Sequence, residues 1–410
     1  MKLRHLKYPA AIAAAVALAS CGSDSTHSVA TSGAQPVLVP VPGISTAVTY
    51  SFDLGTIDTA TGLYYVTDRT NKAVDVINIS GGAAGVLSAP VTLFKQAYAG
   101  CNSGGTGGGS ANFPYVPMPG CLNIAITANN TLVTNNDLDG PDGLDIVGPD
   151  LFVGDVNALW VVNKTTGVLL VKIAIPNTGT KQGFRSDEGC YDPVNHLYAS
   201  ALTGDPSTPF YTILDTTQHD LTGAAPVVIA QLLMNDSTGA ASAGLEACFF
   251  DTRGAAAGTG FMWLNNDGST AFPHGEADGI PIADLLALKT AGFPRKVVFA
   301  GPLTATPDFN AGTSSAPVCA LGGGGACGGT AVKVFGYPTT TLANGSVVGC
   351  DPTGIAAGPA TGNEMGAMCR PGTFGLRLDF LILNTGGAGV TAPTLVTTVQ
   401  IGRASCRERV

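Results

Sequence analysis

The chain has 410 residues, of which 12% are charged and 45% are hydrophobic, and its net charge at pH 7 is −9. This acidic balance, with no basic patch that interleaves with aromatic residues, excludes a nucleic-acid-binding role. The low charge content and the 55 glycines favour an exported all-β protein with many turns and a large buried core.

The first residues have the features of a bacterial export signal. The basic residues Lys2, Arg4 and Lys7 precede a short apolar run at residues 10–19. This run is too short to span a membrane, which takes about 20 apolar residues. We therefore predict that residues 1–20 are a signal peptide that is removed on export.

The sequence Leu18-Ala19-Ser20-Cys21 resembles the lipobox of bacterial lipoproteins. The resemblance implies that Cys21 is acylated and that the mature chain is anchored to a bilayer. Because Gly22 follows instead of a retention aspartate, we expect an outer-membrane lipoprotein of the cell envelope that faces the periplasm or the cell surface. An ordinary cleaved signal with a chance cysteine is the alternative. Residues 21–42 have the small, polar, proline-containing composition of a flexible tether.

A phrase of alternating β-branched and polar residues recurs within residues 43–400. Its clearest copy, residues 51–78, starts near Asp53, turns between Asp58 and Gly62, and continues into two more predicted strands. Other copies start near residues 142, 187, 246 and 351. Two insertions, at about residues 93–135 and 270–349, separate the copies and carry cysteines.

Each copy predicts a small antiparallel sheet that cannot bury both of its faces alone. Such sheets pack face to face around an axis, so we predict an all-β fold, a β-propeller. Five copies are identifiable, and the sequence accounts for about five to six blades. We expect about six or seven blades in the intact protein, with the closing blade missing from this sequence.

Acidic residues at the starts of the copies are candidate metal ligands. Asp53, Asp142, Glu188 and Glu246 occur at corresponding positions, and carboxylates that converge on one axis would bind a hard cation such as Ca²⁺. In the alternative interpretation, these acids cap strand ends and accept backbone hydrogen bonds between blades.

A second calcium signal lies at Asn135, Asp137 and Asp139, where alternating oxygen ligands precede Gly140 as in the first half of a calcium loop. The twelfth position of such a loop requires a bidentate Glu. Ile146 stands there, so an ordinary polar turn is favoured.

The cysteine content agrees with export. Ten cysteines are present, and eight remain when Cys21 and Cys406 are set aside, which predicts four disulfides in an oxidising compartment. The spacing suggests the pairs Cys101 with Cys121, Cys190 with Cys248, Cys319 with Cys327, and Cys350 with Cys369, although sequence alone does not fix the connectivity. Zinc-bound cysteines are the alternative, but the sequence contains no Cys-x-x-Cys pair.

Residues 401–410 differ abruptly from the apolar, threonine-rich sequence that precedes them. Their back-translation matches a widely used short-read sequencing adapter. We expect that they are not natural protein sequence and that the natural chain continues past Gln400. A genuine basic tail is the alternative.

Several phrases resemble exported proteobacterial propellers of the NHL and YVTN-repeat type. They are Ser51-Phe52-Asp53, the strand end at residues 65–71, Gly140-Pro141-Asp142-Gly143, Asp187-Glu188, and residues 349–359. The resemblance covers about residues 50–370 and implies a β-propeller. Propellers with these repeats include lyases, lactonases and passive binding proteins, so the resemblance does not specify an activity.

Asp142 and Glu188 also resemble members of the metal-ligand set of gluconolactonase-like propellers, in which a channel metal polarises a lactone carbonyl and activates water. The first copy departs from that family, because it begins with Phe52-Asp53 where those enzymes have Glu-Gly-Pro. No catalytic residue can be assigned, since the sequence contains no Gly-x-Ser-x-Gly elbow and no His-Glu-x-x-His motif.

Our hypothesis from the sequence is a lipid-anchored, monomeric β-propeller that acts as a binding or scaffold protein at the cell envelope. Its partners would be the membrane, through the anchor, and an unknown small molecule, glycan or protein. The alternative is a Ca²⁺-dependent lactonase or lyase that uses a metal in the central channel.

Overall fold

A computed structural model describes most of the repeat region, with gaps. The described residues are 39, 41, 52–69, 71–80, 91–96, 124–126, 132–134, 141–155, 158–175, 186–202, 210–235, 244–253, 258–268, 273–291, 296–300, 304–306, 333–337, 340–341, 344–350, 352–358, 364–369, 378–384 and 394–401.

Five of the sheets in the described residues contain four antiparallel strands in meander order, and we call each of them a blade. Blade 1 contains β1 (Phe52–Asp58), β2 (Leu63–Asp68), β3 (Ala73–Asn78) and β4 (Thr92–Lys95). A hairpin of β5 (Ile124–Ile126) and β6 (Leu132–Thr134) follows. Blade 2 contains β7 (Leu144–Val147), β8 (Asp150–Asp155), β9 (Ala158–Asn163) and β10 (Leu169–Ala174).

Blades 3 to 5 follow in chain order. Blade 3 contains β11 (Ser186–Asp192), β12 (Leu197–Leu202), β13 (Phe210–Asp215), the helix α1 (Thr217–Thr222) and β14 (Val227–Asn235). Blade 4 begins with β15 (Leu245–Asp251), β16 (Phe261–Asn266) and β17 (Glu276–Pro281). An insertion of α2 (Ile282–Ala291), β18 (Lys296–Ala300) and β19 (Thr304–Thr306) precedes its last strand, β20 (Lys333–Gly336). After the hairpin of β21 (Thr340–Thr341) and β22 (Val347–Val348), blade 5 contains β23 (Pro352–Ala357), β24 (Glu364–Cys369), β25 (Leu378–Asn384) and β26 (Thr394–Ile401).

The insertion in blade 4 folds back onto blade 3. Strand β18 pairs in parallel with β14, and β19 extends the same sheet. Leu285 and Leu288 of α2 enter the core between blades 3 and 4. The predicted insertion at residues 270–349 was therefore too broad, because β17 and β20 within it are the third and fourth strands of blade 4. The predicted insertion at residues 93–135 likewise includes part of β4 of blade 1.

The turn between β1 and β2 shows why the repeat phrase contains Asp and Gly at fixed spacing. The Asp58 carboxylate accepts a hydrogen bond from the Ala60 amide at 3.0 Å, and the Asp58 carbonyl accepts one from the Gly62 amide at 2.8 Å. Gly62 has φ of 70°, in the left-handed region that glycine enters without steric penalty. In blade 3 the corresponding position is His196, whose φ is 54°.

The hydrophobic core consists of a separate layer between each pair of consecutive blades. Tyr65 and Trp160 belong to the layer between blades 1 and 2, and Phe152 and Tyr198 belong to the layer between blades 2 and 3. The other two layers contain Tyr211, Met262 and Leu264 between blades 3 and 4, and Trp263, Tyr337 and Met365 between blades 4 and 5. Blades 2 to 4 therefore bury both faces against their neighbours, and blades 1 and 5 each bury one face in these layers, as the sequence repeat predicts.

The first strands of the blades line up along one axis, since β1 contacts β7, β7 contacts β11, β11 contacts β15, and β15 contacts β23. Face-to-face packing of meander sheets, with the first strands innermost, is the arrangement of a β-propeller. The fold is all-β. The structure adds α1 and α2, which the sequence analysis did not predict. Within the described part of the chain, no helix has the length and apolar character needed to cross a membrane.

Two disulfides lie within the described residues. Cys190 of β11 is bonded to Cys248 of β15, which joins the innermost strands of blades 3 and 4. Cys350 is bonded to Cys369 at the end of β24. Both pairs were suggested by the sequence, and disulfides of this kind are typical of extracellular or envelope proteins.

Candidate functional site

The predicted site residues lie at one end of the blades. Because neighbouring strands are antiparallel, the first strand of a blade begins at the end where the second strand finishes and the third begins. We call this end the leading face and the opposite end the trailing face. In the described residues of blades 1 to 4, the leading face carries the carboxylates of Asp53, Asp68, Asp75, Asp142, Asp155, Asp187, Glu188, Glu246, Asp267, Glu276 and Asp278. The basic side chains at the same strand ends are Arg69, Lys72 and Lys95, with Lys172 two residues before the end of β10.

In blades 1, 3 and 4, one candidate acid lies where the pairing of the first and second strands is irregular. The pairing of the first and second strands is irregular between Phe52 and Gly55, between Ser186 and Gly189, and between Leu245 and Cys248. Asp53, Glu188 and Glu246 lie inside these irregular segments. An extra residue in one strand bends the backbone and changes the direction of its side chains. The three acids are half-buried at the inner strands.

Asp53 and Asp142, two of the predicted metal ligands, are both bound by Arg69. The Arg69 Nε donates to the Asp142 carboxylate at 2.5 Å, and its Nη2 donates to the Asp53 carboxylate. Arg69 and Asp142 are buried. The Thr67 hydroxyl also donates to the Asp142 backbone carbonyl at 2.7 Å. These contacts join blades 1 and 2 and place a positive charge where the sequence predicted a metal ion.

Glu188 and Glu246 lie instead around the hydroxyl of Tyr211, between blades 3 and 4. Tyr211 is fully buried and donates a hydrogen bond to the Glu246 backbone carbonyl. Burial raises the pKa of Tyr211 well above its usual value, and the nearby carboxylates of Glu188 and Glu246 raise it further. The two glutamates therefore lie near the same hydroxyl group and make this region negatively charged. A positively charged group placed there would stabilise their ionised form.

Asp278 adds a buried carboxyl to the same interface. Burial raises the pKa of Asp278 to about 7, whereas a hydrogen bond from Asn266 lowers it. The Asn266 Nδ2 lies 3.3 Å from Asp278 and 3.1 Å from Glu276. The side-chain amide of Asn266 thus donates to two buried carboxyl groups. The raised pKa of Asp278 means that this carboxyl group would keep its proton near neutral pH.

The calcium site predicted at Asp53, Asp142, Glu188 and Glu246 stays a prediction. Among the described residues, no three His, Cys, Asp or Glu side chains lie close enough together to hold a metal ion. Asp53 and Asp142 are bound by Arg69 between blades 1 and 2, whereas Glu188 and Glu246 lie between blades 3 and 4. Arg69 supplies a compensating positive charge to Asp53 and Asp142.

The remaining predicted sites lie outside the described residues. These are the second calcium loop at Asn135, Asp137 and Asp139, the lipidation site Cys21, and the cysteines Cys101, Cys121, Cys319 and Cys327.

The sequence analysis missed the roles of Arg69, Tyr211 and Asp278. Arg69 directly follows Asp68, the last residue of β2, and this Asp68-Arg69 pair is visible in the sequence. Tyr211 and Asp278 carry no comparable signal, because their surroundings depend on how blade 3 packs on blade 4.

Comparison with known proteins gives no family. No protein-family model matches the chain, and no curated protein matches it. Among solved structures, similar chains occur in a nidogen/laminin complex (11% identity, 85% of this chain and 80% of that chain, TM-score 0.40) and in Kluyveromyces lactis Hsv2p (6% identity, 87% and 75%, TM-score 0.38). Apo AztD from Citrobacter koseri is also similar (8% identity, 85% and 71%, TM-score 0.39). The fold assignment rests on the packing of the blades and not on these similarities.

Proposed function

We propose that the protein is a binding propeller of the bacterial cell envelope, and that its leading face holds a ligand rich in positive charge and hydrogen-bond donors, such as a basic peptide. The observation that carries the proposal is the half-buried position of Glu188 and Glu246 in the irregular inner strands of blades 3 and 4. Carboxylates accept hydrogen bonds without donating any, and a partly dehydrated site strengthens charge-assisted bonds.

The charge of the whole leading face supports the same ligand class. Acids outnumber basic residues at its strand ends, so the face attracts cations and repels anionic ligands. The rigid blades hold these acids in place before binding, which lowers the entropy lost on association.

Export supports the location of this activity. The Cys21 lipobox and the resemblance of the repeats to exported NHL and YVTN-type propellers favour a monomeric lipoprotein of the outer membrane, and the disulfides fit an oxidising compartment. Mass spectrometry of the N-terminal peptide from isolated membranes tests the anchor. We expect a diacylated Cys21 at the N-terminus, and a peptide with unmodified Cys21 would contradict it.

A thermal-shift experiment on the purified full-length protein tests the ligand class. The probes are hexalysine, a neutral chito-oligosaccharide, hexaglutamate and CaCl₂. We expect a rise in the unfolding temperature with hexalysine, a smaller rise with the oligosaccharide and none with hexaglutamate. A rise with CaCl₂ alone, together with lactone turnover that a chelator abolishes, would support the metal-dependent alternative and contradict this proposal.

A further inference from the structure

Between β21 and β22 the chain contains its only Asn-Gly pair, Asn344-Gly345. Asn344, Gly345 and Ser346 are all exposed to solvent. Gly345 has φ of 83°, and a Cβ atom at this position would meet no other atom within 4 Å. The space that a side chain would occupy at residue 345, beside its backbone nitrogen, is therefore open to water.

The side chain of Asn344 is bonded to the backbone of its own turn. Its Oδ1 accepts hydrogen bonds from the Ser346 amide at 3.0 Å and from the Ser346 hydroxyl at 2.6 Å. These bonds turn the side-chain amide carbon of Asn344 toward the backbone at Gly345, which lies between the two bonded residues. Two donors on Oδ1 also stabilise negative charge that develops on this oxygen during attack at the amide carbon.

We propose that Asn344 is a modification site, at which the side-chain amide is converted to a carboxylate without an enzyme. The Gly345 backbone nitrogen gives up its proton to solvent base and attacks the Asn344 side-chain amide carbon. The new carbon–nitrogen bond closes a five-membered succinimide ring, and the carbon–nitrogen bond of the side-chain amide breaks to release ammonia. Water then opens the ring at one of its two carbonyl groups. One water molecule is consumed and one ammonia is released, so the reaction needs no oxidant or reductant.

Ring opening gives two products, and both add a negative charge to this exposed turn. Opening at one carbonyl gives aspartate, which leaves the main chain unaltered. Opening at the other gives isoaspartate, which lengthens the main chain by one carbon between Thr341 and Val347, two residues that pair in β21 and β22. Because the turn sets the register of a hairpin, isoaspartate disturbs the pairing of these two short strands.

A turn in blade 1 has the same hydrogen bonds around its asparagine and serves as an internal comparison. The Oδ1 of Asn78 accepts hydrogen bonds from the Ser80 amide at 2.9 Å and from the Ser80 hydroxyl at 2.6 Å, and Asn78 is also exposed. The residue between them is Ile79, whose amide donates to the Gly62 carbonyl at 2.8 Å. The stiff, β-branched side chain of Ile79 also crowds this nitrogen. Asn78 should therefore keep its amide.

Peptide mapping by mass spectrometry of the purified full-length protein tests the proposal. The protein is incubated at pH 6 and at pH 8, and the peptides that contain Asn344 and Asn78 are followed over time. Replacement of the amide by a carboxylate raises the peptide mass, and fragmentation distinguishes isoaspartate from aspartate. We expect Asn344 to convert at least about tenfold faster than Asn78, which corresponds to about 1.4 kcal/mol in the barrier. Conversion should be faster at pH 8, because the attacking nitrogen must lose its proton.

The variant Gly345→Ala keeps Asn344 and adds a methyl group beside the attacking nitrogen. We expect it to slow the conversion at least about tenfold. The methyl group would meet no atom within 4 Å, and the left-handed φ costs only about 1 kcal/mol, so the variant should fold, which near-UV circular dichroism verifies. Equal rates at Asn344 and Asn78, or a conversion of Asn344 that Gly345→Ala does not slow, would overturn the proposal.

Discussion

The guanidinium of Arg69 in blade 1 donates a hydrogen bond to the carboxylate of Asp142 in blade 2, with 2.5 Å between the two atoms. Both side chains are buried and both lie at the leading face. Because the same guanidinium also binds Asp53, this contact holds the first two blades together where the sequence predicted a metal ion.

Removal of this buried cation should strongly destabilise the protein. Arg69→Met leaves Asp142 buried without its positive partner, so we expect the free energy of unfolding to fall by about 3 to 5 kcal/mol. Urea unfolding measures this change. The control is Arg253→Met, which removes an ion pair with Asp251 that is less buried than the pair of Arg69 with Asp142 and should cost less. Equal effects of the two variants would show that the Arg69 contacts contribute little.

Blades 2 and 3 pack closely because Gly154 in β8 and Gly143, just before β7, have no side chain. A Cβ atom at Gly143 would overlap the backbone carbonyl of Asp187, and one at Gly154 would overlap that of Ser186. Backbone cannot move away as a flexible side chain can, so Gly143→Ala should cost about 3 kcal/mol or more. Gly148→Ala is the control, because its Cβ would meet no atom within 4 Å, although its φ of 57° carries a penalty of about 1 kcal/mol. Similar unfolding midpoints for these two alanine variants would contradict the described packing.

The disulfide between the two inner strands should contribute more stability than the disulfide in blade 5. Cys190 and Cys248 are separated by 58 residues, and Cys350 and Cys369 by 19. The chain-entropy relation assigns about 1 kcal/mol more to the longer loop. Unfolding of the paired alanine variants of each disulfide provides the comparison. A larger loss from the blade 5 pair would show that loop length does not determine the order.

Stability should rise as the pH falls from 8 to 5. Burial raises the pKa of Asp145, Asp278 and Asp284 to about 7, so between pH 4 and pH 7 the folded state binds more protons than the unfolded state. Each group contributes up to about 1.4 kcal/mol per pH unit in this window. Below it the trend reverses, because the hydrogen bond from Lys164 lowers the pKa of Asp58 and protonation of Asp58 weakens that bond.

Asp284→Asn isolates one of these groups. Both Asp284 carboxyl oxygens are buried with no hydrogen-bond partner in the described structure. At pH 8 the variant should unfold at a higher urea concentration than the unaltered protein. Its stability should also rise less than that of the unaltered protein when the pH falls. Asp58→Asn is the control, since it removes the contact with Lys164 and should lower stability at every pH above about 4, without changing the gain between pH 8 and pH 5. A pH dependence unchanged by Asp284→Asn would contradict the assignment.

The sequence predicted the blades well because their signal is local. The five repeat starts, near residues 53, 142, 187, 246 and 351, lie close to the beginnings of β1, β7, β11, β15 and β23. The alternation of apolar and polar side chains depends on a few neighbouring residues, and so does the turn at Asp58 and Gly62. Such local patterns can be read from the sequence.

The candidate site was harder to predict because it depends on contacts between blades. The repeat starts identified Asp53, Asp142, Glu188 and Glu246, but not that Arg69 would bind the first two. The addition of β18 to the edge of β14 was missed for the same reason, since a parallel pairing between distant segments has no local pattern.

Calorimetric titration with hexalysine tests the central claim, that acids of the leading face bind a cationic ligand. The double variant Glu188→Gln and Glu246→Gln removes two charges from that face, whereas Glu364→Gln removes an exposed charge at the start of β24, on the trailing face. We predict that the double variant binds hexalysine at least about tenfold more weakly than the unaltered protein, a loss of about 1.4 kcal/mol, and that Glu364→Gln binds as the unaltered protein does. Equal affinities in all three proteins would contradict the account.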